Sequence, residues 1–105
     1  MYDVTNSTGI GSIPYNPFQV LSATSESITL SANTCAVVEY HFDVPAGYTI
    51  VSANDDSYYA GLVASPIRIF TRDASTGKQR VAFNYLSPNG ANARTYTAKA
   101  LAVRI

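Results

Sequence analysis

Residues 35–44 alternate between two sets of side chains with a period of two. Because successive side chains of a β-strand point to opposite faces, this period predicts a strand with one face in a core and a wetter face opposite. The predicted core face carries Ala36, Val38, Tyr40, Phe42 and Val44. The opposite face carries Cys35, Val37, Glu39, His41 and Asp43. The pattern points to an all-β chain and brings no catalytic motif with it.

The rest of the chain adds further β-type segments. No window shows apolar residues at the i, i+3, i+4 and i+7 spacing of an amphipathic helix. Residues 73–78 and 87–92 are rich in turn-forming residues and fit hairpin connections. We expect seven or eight strands, at residues 19–22, 27–31, 35–44, 49–53, 59–63, 67–72, 79–86 and 95–105. Strands at this spacing favour a single-domain antiparallel β-sandwich of jelly-roll-like type.

The length of 105 residues predicts one domain, preceded by an extended arm. Residues 1–18 form the predicted arm, in which Pro14 and Pro17 favour an extended path. We expect the arm to lie along the domain or along a neighbouring subunit, and residues 19–105 to form the β-sandwich domain. In the later strands the expected core faces carry Ile67 and Ile69, then Val81, Phe83 and Tyr85, then Leu101, Val103 and Ile105.

The charge balance excludes one large class of partner. Seven basic and seven acidic residues cancel, and only 13% of the chain is charged. A protein that follows a phosphate backbone needs a basic stripe, so the composition argues against nucleic acid. The neutral, hydroxyl-rich composition favours self-association and suits an extracellular protein or a subunit of a large assembly. No apolar stretch has the length of a membrane span, and the N-terminus lacks the features of a secretory signal.

The single cysteine and single histidine limit the chemistry that the chain offers. Cys35 excludes an intrachain disulfide and is expected to pack at the start of its strand. No metal site and no cofactor are expected, because neither ligand clusters nor cofactor motifs occur. His41, flanked by Glu39 and Asp43, is expected on a polar outer face, with a pH-sensitive interface as the alternative. Since no nucleophile or phosphate-binding motif occurs, we expect no enzymatic activity.

One loop segment combines carboxylates with aromatic rings. Carboxylates accept hydrogen bonds from sugar hydroxyls, and tyrosine rings stack on the apolar face of a pyranose. The alternative is a solvated turn followed by packed tyrosines. We predict a ligand-binding surface formed by Asp55, Asp56, Tyr58, Tyr59, Asn89 and Asn92. The tyrosines expected to be free for ligand or subunit contact are Tyr2, Tyr15, Tyr58, Tyr59 and Tyr96.

Four segments together carry a resemblance to a known family. They are the turn and strand VPAGYTIV at residues 44–51, the strand at 67–72, the segment VAFNY at 81–85 and the closing strand at 95–105. In this pattern the chain resembles the small C-terminal β-sandwich head domains of tail-fibre, baseplate and minor structural proteins of phages that infect Gram-positive bacteria. The resemblance implies a virion protein, a homotrimer, and outward loops that bind saccharide on the host cell wall. It transfers no individual binding residue.

Two other functions remain open at this stage. The same fold would serve a capsid-decorating or head-fibre subunit that makes only protein–protein contacts, or a carbohydrate-binding module detached from an enzyme. Head domains of this family usually follow a coiled-coil or triple-stranded shaft, and the sequence contains none. We therefore expect either an excised head or a short virion protein.

Overall fold

The computed structural model describes residues 17–57 and 59–105, and 61% of them lie in strands. The described residues form no helices, which confirms the predicted all-β class. It follows that no helix in these two ranges has the length and apolarity to cross a membrane. The predicted arm falls outside the described residues except for Pro17 and Phe18, and Tyr58 also lies outside them.

Eight strands form three antiparallel sheets in the described part of the chain. The strands are β1 (Phe18–Thr24), β2 (Ile28–Leu30), β3 (Ala36–Asp43), β4 (Tyr48–Asp55), β5 (Val63–Ile69), β6 (Lys78–Leu86), β7 (Ala91–Arg94) and β8 (Thr97–Arg104). Two sheets have three strands each, in the orders β1-β8-β4 and β3-β6-β5, and β2 pairs with β7 in a two-stranded sheet. The first strand therefore includes Phe18, which the sequence had placed in the arm.

The β3-β6-β5 sheet contributes a buried aromatic face. As predicted, Tyr40 and Phe42 of β3 and Phe83 and Tyr85 of β6 are fully buried. The register places Val38 opposite Phe83, and the Tyr40 and Phe83 rings meet edge to face with centroids 5.3 Å apart. Such aromatic pairs add to the free energy gained from burial alone, so this face anchors the core.

The prediction for β8 was wrong in its choice of core face. The buried residues of β8 are alanines: Ala98, Ala100 and Ala102. Leu101 and Val103 lie half-buried on the outer face, and the Ile105 side chain is 80% exposed. All three alanines belong to the same core cluster as the aromatic face, where large rings leave little volume for large side chains.

The segment after β4 also differs from the prediction. Residues 59–62 form a turn, in which the Leu62 amide donates to the Tyr59 carbonyl over 3.2 Å. The next strand, β5, then ends at Ile69, so the predicted strands at 59–63 and 67–72 are replaced by a single one. A bulge between Pro66 and Arg68 turns Ile67 out of the predicted core face, and its side chain is 51% exposed.

Two smaller expectations are corrected at strand ends. The predicted turn at residues 87–92 is shorter, because β7 begins at Ala91, and the last strand begins at Thr97. Cys35 precedes β3 and is exposed, so its thiol is not packed in the core. By contrast, the outer face of β3 is exposed as predicted, and Glu39 there pairs with Arg80 over 3.3 Å.

A buried glutamine joins the two three-stranded sheets. The Gln79 side chain of β6 accepts a hydrogen bond from the Ile50 amide of β4 at 2.9 Å. Its Nε2 donates to the Phe70 carbonyl at 2.7 Å and to the Thr49 hydroxyl at 3.3 Å. Because buried backbone groups without partners are costly, this one amide stabilises β4 against β6 as well as the chain that leaves β5.

Candidate functional site

The strand registers bring both predicted loops to one end of the molecule. Asp55, at the end of β4, lies opposite Ala98 near the start of β8. Val63, where β5 begins, lies opposite Leu86, where β6 ends. The chain that follows Asp55 and the turn at residues 87–90 therefore leave their sheets at the same end of the molecule. This end, rather than one isolated loop, is the place to test for the predicted ligand surface.

Asp55 lies at the boundary between this end and the core. Its Oδ1 accepts a hydrogen bond of 2.5 Å from the Tyr85 hydroxyl, which is itself hydrogen-bonded to the Tyr40 hydroxyl. Its Oδ2 accepts from the Ser57 amide at 3.1 Å. Burial raises the pKa of Tyr40 from 10.0 to about 12, and burial together with the bond to Asp55 raises that of Tyr85. The half-buried Asp55 carboxylate is thus engaged in holding the loop to the core.

Asp56 is the exposed carboxylate of the loop. Its amide donates to the Thr97 carbonyl at 2.9 Å, and the Ser57 hydroxyl bonds the same residue twice, accepting from its amide at 2.8 Å. The Asp56 side chain is 52% exposed, and its Oδ2 lies 3.9 Å from Lys99 Nζ. The backbone is therefore fixed while the carboxylate still faces solvent, which is the arrangement needed to accept hydrogen bonds from a ligand.

Tyr59 forms an aromatic–cationic platform with a residue that the sequence analysis missed. The Arg94 guanidinium lies over the Tyr59 ring, 4.2 Å from its centroid. The Tyr59 hydroxyl donates to the Thr95 carbonyl at 3.3 Å, and its ring meets that of Tyr96 at 77°. The Tyr59 side chain is 40% exposed. Arg94 carries no local sequence signal, because it reaches Tyr59 through the antiparallel register of β4 with β8, which places the residues before β8 beside those after β4.

The other predicted residues fall into different environments. Asn89 is exposed in the turn that the Gly90 amide closes on the Ser87 carbonyl at 3.1 Å. Asn92 is exposed on β7. Tyr96, expected to be free for contact, is instead 1% exposed, and its hydroxyl has no hydrogen-bond partner among the described residues. Burial raises its pKa.

A surface cleft lies at the opposite end of β6. Its volume is about 600 Å³, and its lining residues are His41, Phe70, Thr71, Asp73, Thr76, Lys78 and Arg80. The cations there are already partnered: Lys78 Nζ lies 2.8 Å from Asp43 Oδ1, and the Arg80 guanidinium lies 3.9 Å from the Phe70 centroid. The two cations that line the cleft therefore already have partners, and the cleft is part of the polar outer face predicted around His41.

At the end of the molecule where both predicted loops lie, three side chains offer a ligand a hydrogen-bond acceptor, a hydrogen-bond donor and an aromatic ring. Asp56 supplies a carboxylate, Arg94 a guanidinium and Tyr59 a partly exposed ring. Within residues 17–57 and 59–105, no group of three or more His, Cys, Asp or Glu side chains is arranged to hold a metal ion.

Comparisons of the chain with protein-family models, with curated proteins and with solved structures each found no match.

Proposed function

We propose that the chain is a phage virion module, built as a jelly-roll-like β-sandwich, that recognises a host cell-surface saccharide without catalysis. The observation that carries the proposal is that the Tyr59–Arg94 platform and the exposed Asp56 carboxylate lie at the same end of the molecule, where the Asp56 amide is hydrogen-bonded to Thr97 of β8. An aromatic ring with a few fixed polar groups is the usual chemistry of carbohydrate recognition.

The sandwich part of the proposal is supported by the pairing pattern and the shared core. β1 pairs with β8, β2 with β7 and β3 with β6, which is the nested pairing of a chain folded back on itself, as in a jelly roll. Buried residues of both three-stranded sheets belong to one cluster, and Gln79 links the sheets. The pairing of β4 with β8 and of β5 with β6 departs from this nested order.

The affinity of one such site should be low. A few hydrogen bonds and one partly exposed ring support a dissociation constant on the order of 0.1–1 mM. Useful attachment would then need several copies on one particle, since linked sites raise the overall affinity without new contacts. We therefore propose a homo-oligomer, a trimer by the family resemblance, in which the part of the predicted arm that precedes Pro17 reaches a neighbouring subunit. Deletion of residues 1–16 with no change in oligomer mass would contradict the role of the arm.

Single substitutions at the platform test the recognition. We expect Asp56→Ala and Arg94→Ala each to abolish binding to purified Gram-positive cell walls in a pull-down. The unfolding temperature should change little for Asp56→Ala, because an exposed ion pair contributes about 0–1 kcal/mol. The matched control is Asp43→Ala, which removes an exposed, ion-paired carboxylate at the other end of the molecule.

The outcomes separate the proposed function from its main alternative. If the parent binds cell walls and both variants bind as well as the Asp43→Ala control, the platform is not the site. If the parent does not bind host cell walls at all, the saccharide proposal fails. A capsid-decorating or head-fibre subunit then becomes the better explanation, because such a subunit needs the fold only for protein–protein contact.

A further inference from the structure

A cleft separates the edge strands of the two three-stranded sheets. In the described part of the chain, β4 is the last strand of one sheet and β5 the last strand of the other, and no ladder of hydrogen bonds joins them. The cleft lies between residues 51–53 of β4 and residues 66–69 of β5 and has a volume of about 410 Å³. The described residues that line it are aliphatic apart from Ser52 and Arg68. We call it the edge cleft.

Each edge carries a bulge at the edge cleft. Val51 lies in the bulge of β4 and Ile67 in the bulge of β5, so both residues fall outside the hydrogen-bonded ladders. Their side chains are 50% and 51% exposed. Bulges, and a proline such as Pro66 on an edge strand, disfavour the pairing of a further strand along that edge. An occupant of the edge cleft is therefore held by side-chain contacts rather than by a new ladder.

Arg68 brings an unpaired positive charge to the edge cleft. Its guanidinium lies 4.6 Å from the centroid of the Phe70 ring. Within residues 17–57 and 59–105 the guanidinium forms no ion pair and no hydrogen bond. These residues include all seven cations of the chain but not all of its seven acidic residues, because Asp3 precedes them. Aliphatic side chains beside an unpaired cation suit a segment of chain that is partly apolar and acidic.

We propose that residues 2–5 of a neighbouring copy of this chain occupy the edge cleft. Asp3 is the one charged side chain in residues 1–16, and it lies between Tyr2 and Val4 in the sequence. Asp3 pairs with Arg68, while Tyr2 and Val4 pack on the aliphatic lining of the cleft. The inference rests on the oligomeric part of the proposed function and deepens it, since it names the surface that the arm contacts.

The chain that precedes Pro17 is long enough to reach another copy. The Pro17 carbonyl accepts a hydrogen bond of 3.0 Å from the Arg104 amide, at the end of the molecule opposite the candidate ligand end. From there, residues 3–16 in an extended form span about 45 Å. β4 lies two strands away from β1, which is about 10 Å. The arm is therefore several times longer than the width of its own sheet.

Charge reversal tests the pairing of Asp3 with Arg68. Sedimentation velocity on the full-length chain should show the parent associating at tens of micromolar. We expect Arg68→Glu and Asp3→Lys each to weaken association by at least about tenfold, because each places two like charges in contact. The double variant restores an opposite pair and should associate within about threefold of the parent. The matched control is Arg94→Glu, which reverses another guanidinium that lies over an aromatic ring, and it should associate like the parent.

Each result supports or overturns the proposal. A parent that stays monomeric throughout the concentration series overturns it, and a lower unfolding temperature of Asp3→Lys would then assign the cleft to the arm of the same copy. Single variants that associate like the parent, a double variant without recovery, or an Arg94→Glu control that dissociates as readily as Arg68→Glu also overturn it. Asp3 lies outside the described residues, so Asp3→Lys still tests the proposal if circular dichroism shows that Arg68→Glu is unfolded.

Cell-wall binding measured on the same samples separates this proposal from the proposed function. A monomeric parent that still binds cell walls contradicts only the contact between arm and cleft. A parent that forms the oligomer, with rescue in the double variant, but does not bind cell walls contradicts only the recognition.

Discussion

Three buried tyrosines carry the same hydroxyl group in three different environments, which allows one substitution to test the core network. The Tyr85 hydroxyl donates to the Asp55 carboxylate and is bonded to the Tyr40 hydroxyl. The Tyr40 hydroxyl has that neutral bond to Tyr85, and the Tyr96 hydroxyl has no partner among the described residues. Changing each residue to Phe removes only the hydroxyl, so the three variants should differ in the free energy of unfolding.

The structure gives the size and sign of each effect. Tyr85→Phe removes a bond to a charged acceptor and a neutral bond, so we expect a loss of about 2–4 kcal/mol. Tyr40→Phe removes one neutral bond and should cost about 1 kcal/mol. Tyr96→Phe removes a buried hydroxyl without a partner, so it should be neutral or stabilise the fold by up to about 1 kcal/mol.

Urea denaturation followed by circular dichroism measures these differences. For a domain of this size, 1 kcal/mol corresponds to about 4–8 °C in the unfolding temperature, so thermal scans give an independent check. A double-mutant cycle of Tyr85→Phe with Asp55→Asn should show a coupling energy of about 1 kcal/mol or more, because the two groups are in direct contact. Equal losses at the three tyrosines, or a Tyr96→Phe variant as unstable as Tyr85→Phe, would refute the assignment of the network.

Two further predictions concern pH and a turn glycine. Because the pKa of Tyr40 rises from 10.0 to about 12 and that of Tyr85 is also raised, the folded state holds these protons more tightly than the unfolded state. Stability should therefore be full below pH 10 and fall as the pH rises towards 12, with a smaller fall in Tyr40→Phe, as measured by urea midpoints. Gly90→Ala should destabilise the fold more than Gly61→Ala in the same assay. The φ angles are similar, +75° at Gly90 and +77° at Gly61, but an added Cβ at Gly90 meets the Leu30 carbonyl oxygen at 3.0 Å, whereas at Gly61 nothing lies within 4 Å. Equal losses for the two glycine variants would contradict the steric part of this argument.

The sequence predicted best where one face of a strand is apolar and the other polar. In β3, Tyr40 and Phe42 alternate with charged neighbours, and both the strand and its buried face are confirmed. The prediction was wrong at residues 59–63, where apolar and aromatic residues suggested a strand but Gly61, with its positive φ, lies in a turn. Local composition does not distinguish a short apolar strand from a turn that packs on tyrosine rings.

The candidate site was predictable only in part, for a reason that lies in the sheet pairing. Asp56 and Tyr59 were selected from one loop because carboxylates and rings occur there together. Arg94 was missed because it reaches Tyr59 from another strand. Asp55 and Asp56 look equivalent in the sequence. The Asp55 carboxylate, however, accepts a hydrogen bond at the edge of the core from the hydroxyl of Tyr85, which lies thirty residues away in the chain. When contacts between distant segments of the chain decide what a side chain does, the sequence around that residue does not reveal its role.

β8 shows that the largest apolar side chains of a strand do not always mark its buried face. The face that carries Leu101 and Val103 also carries Thr97 and the exposed Lys99, whereas the opposite face carries only Ala98, Ala100 and Ala102. The core already contains the rings of Tyr40 and Phe83, and side chains packed to the density of a protein interior leave room there only for alanine methyl groups. Leu101 and Val103 are consequently on the outer face. The size of an apolar side chain is therefore a poor guide to the buried face of a strand when the same face also carries a lysine.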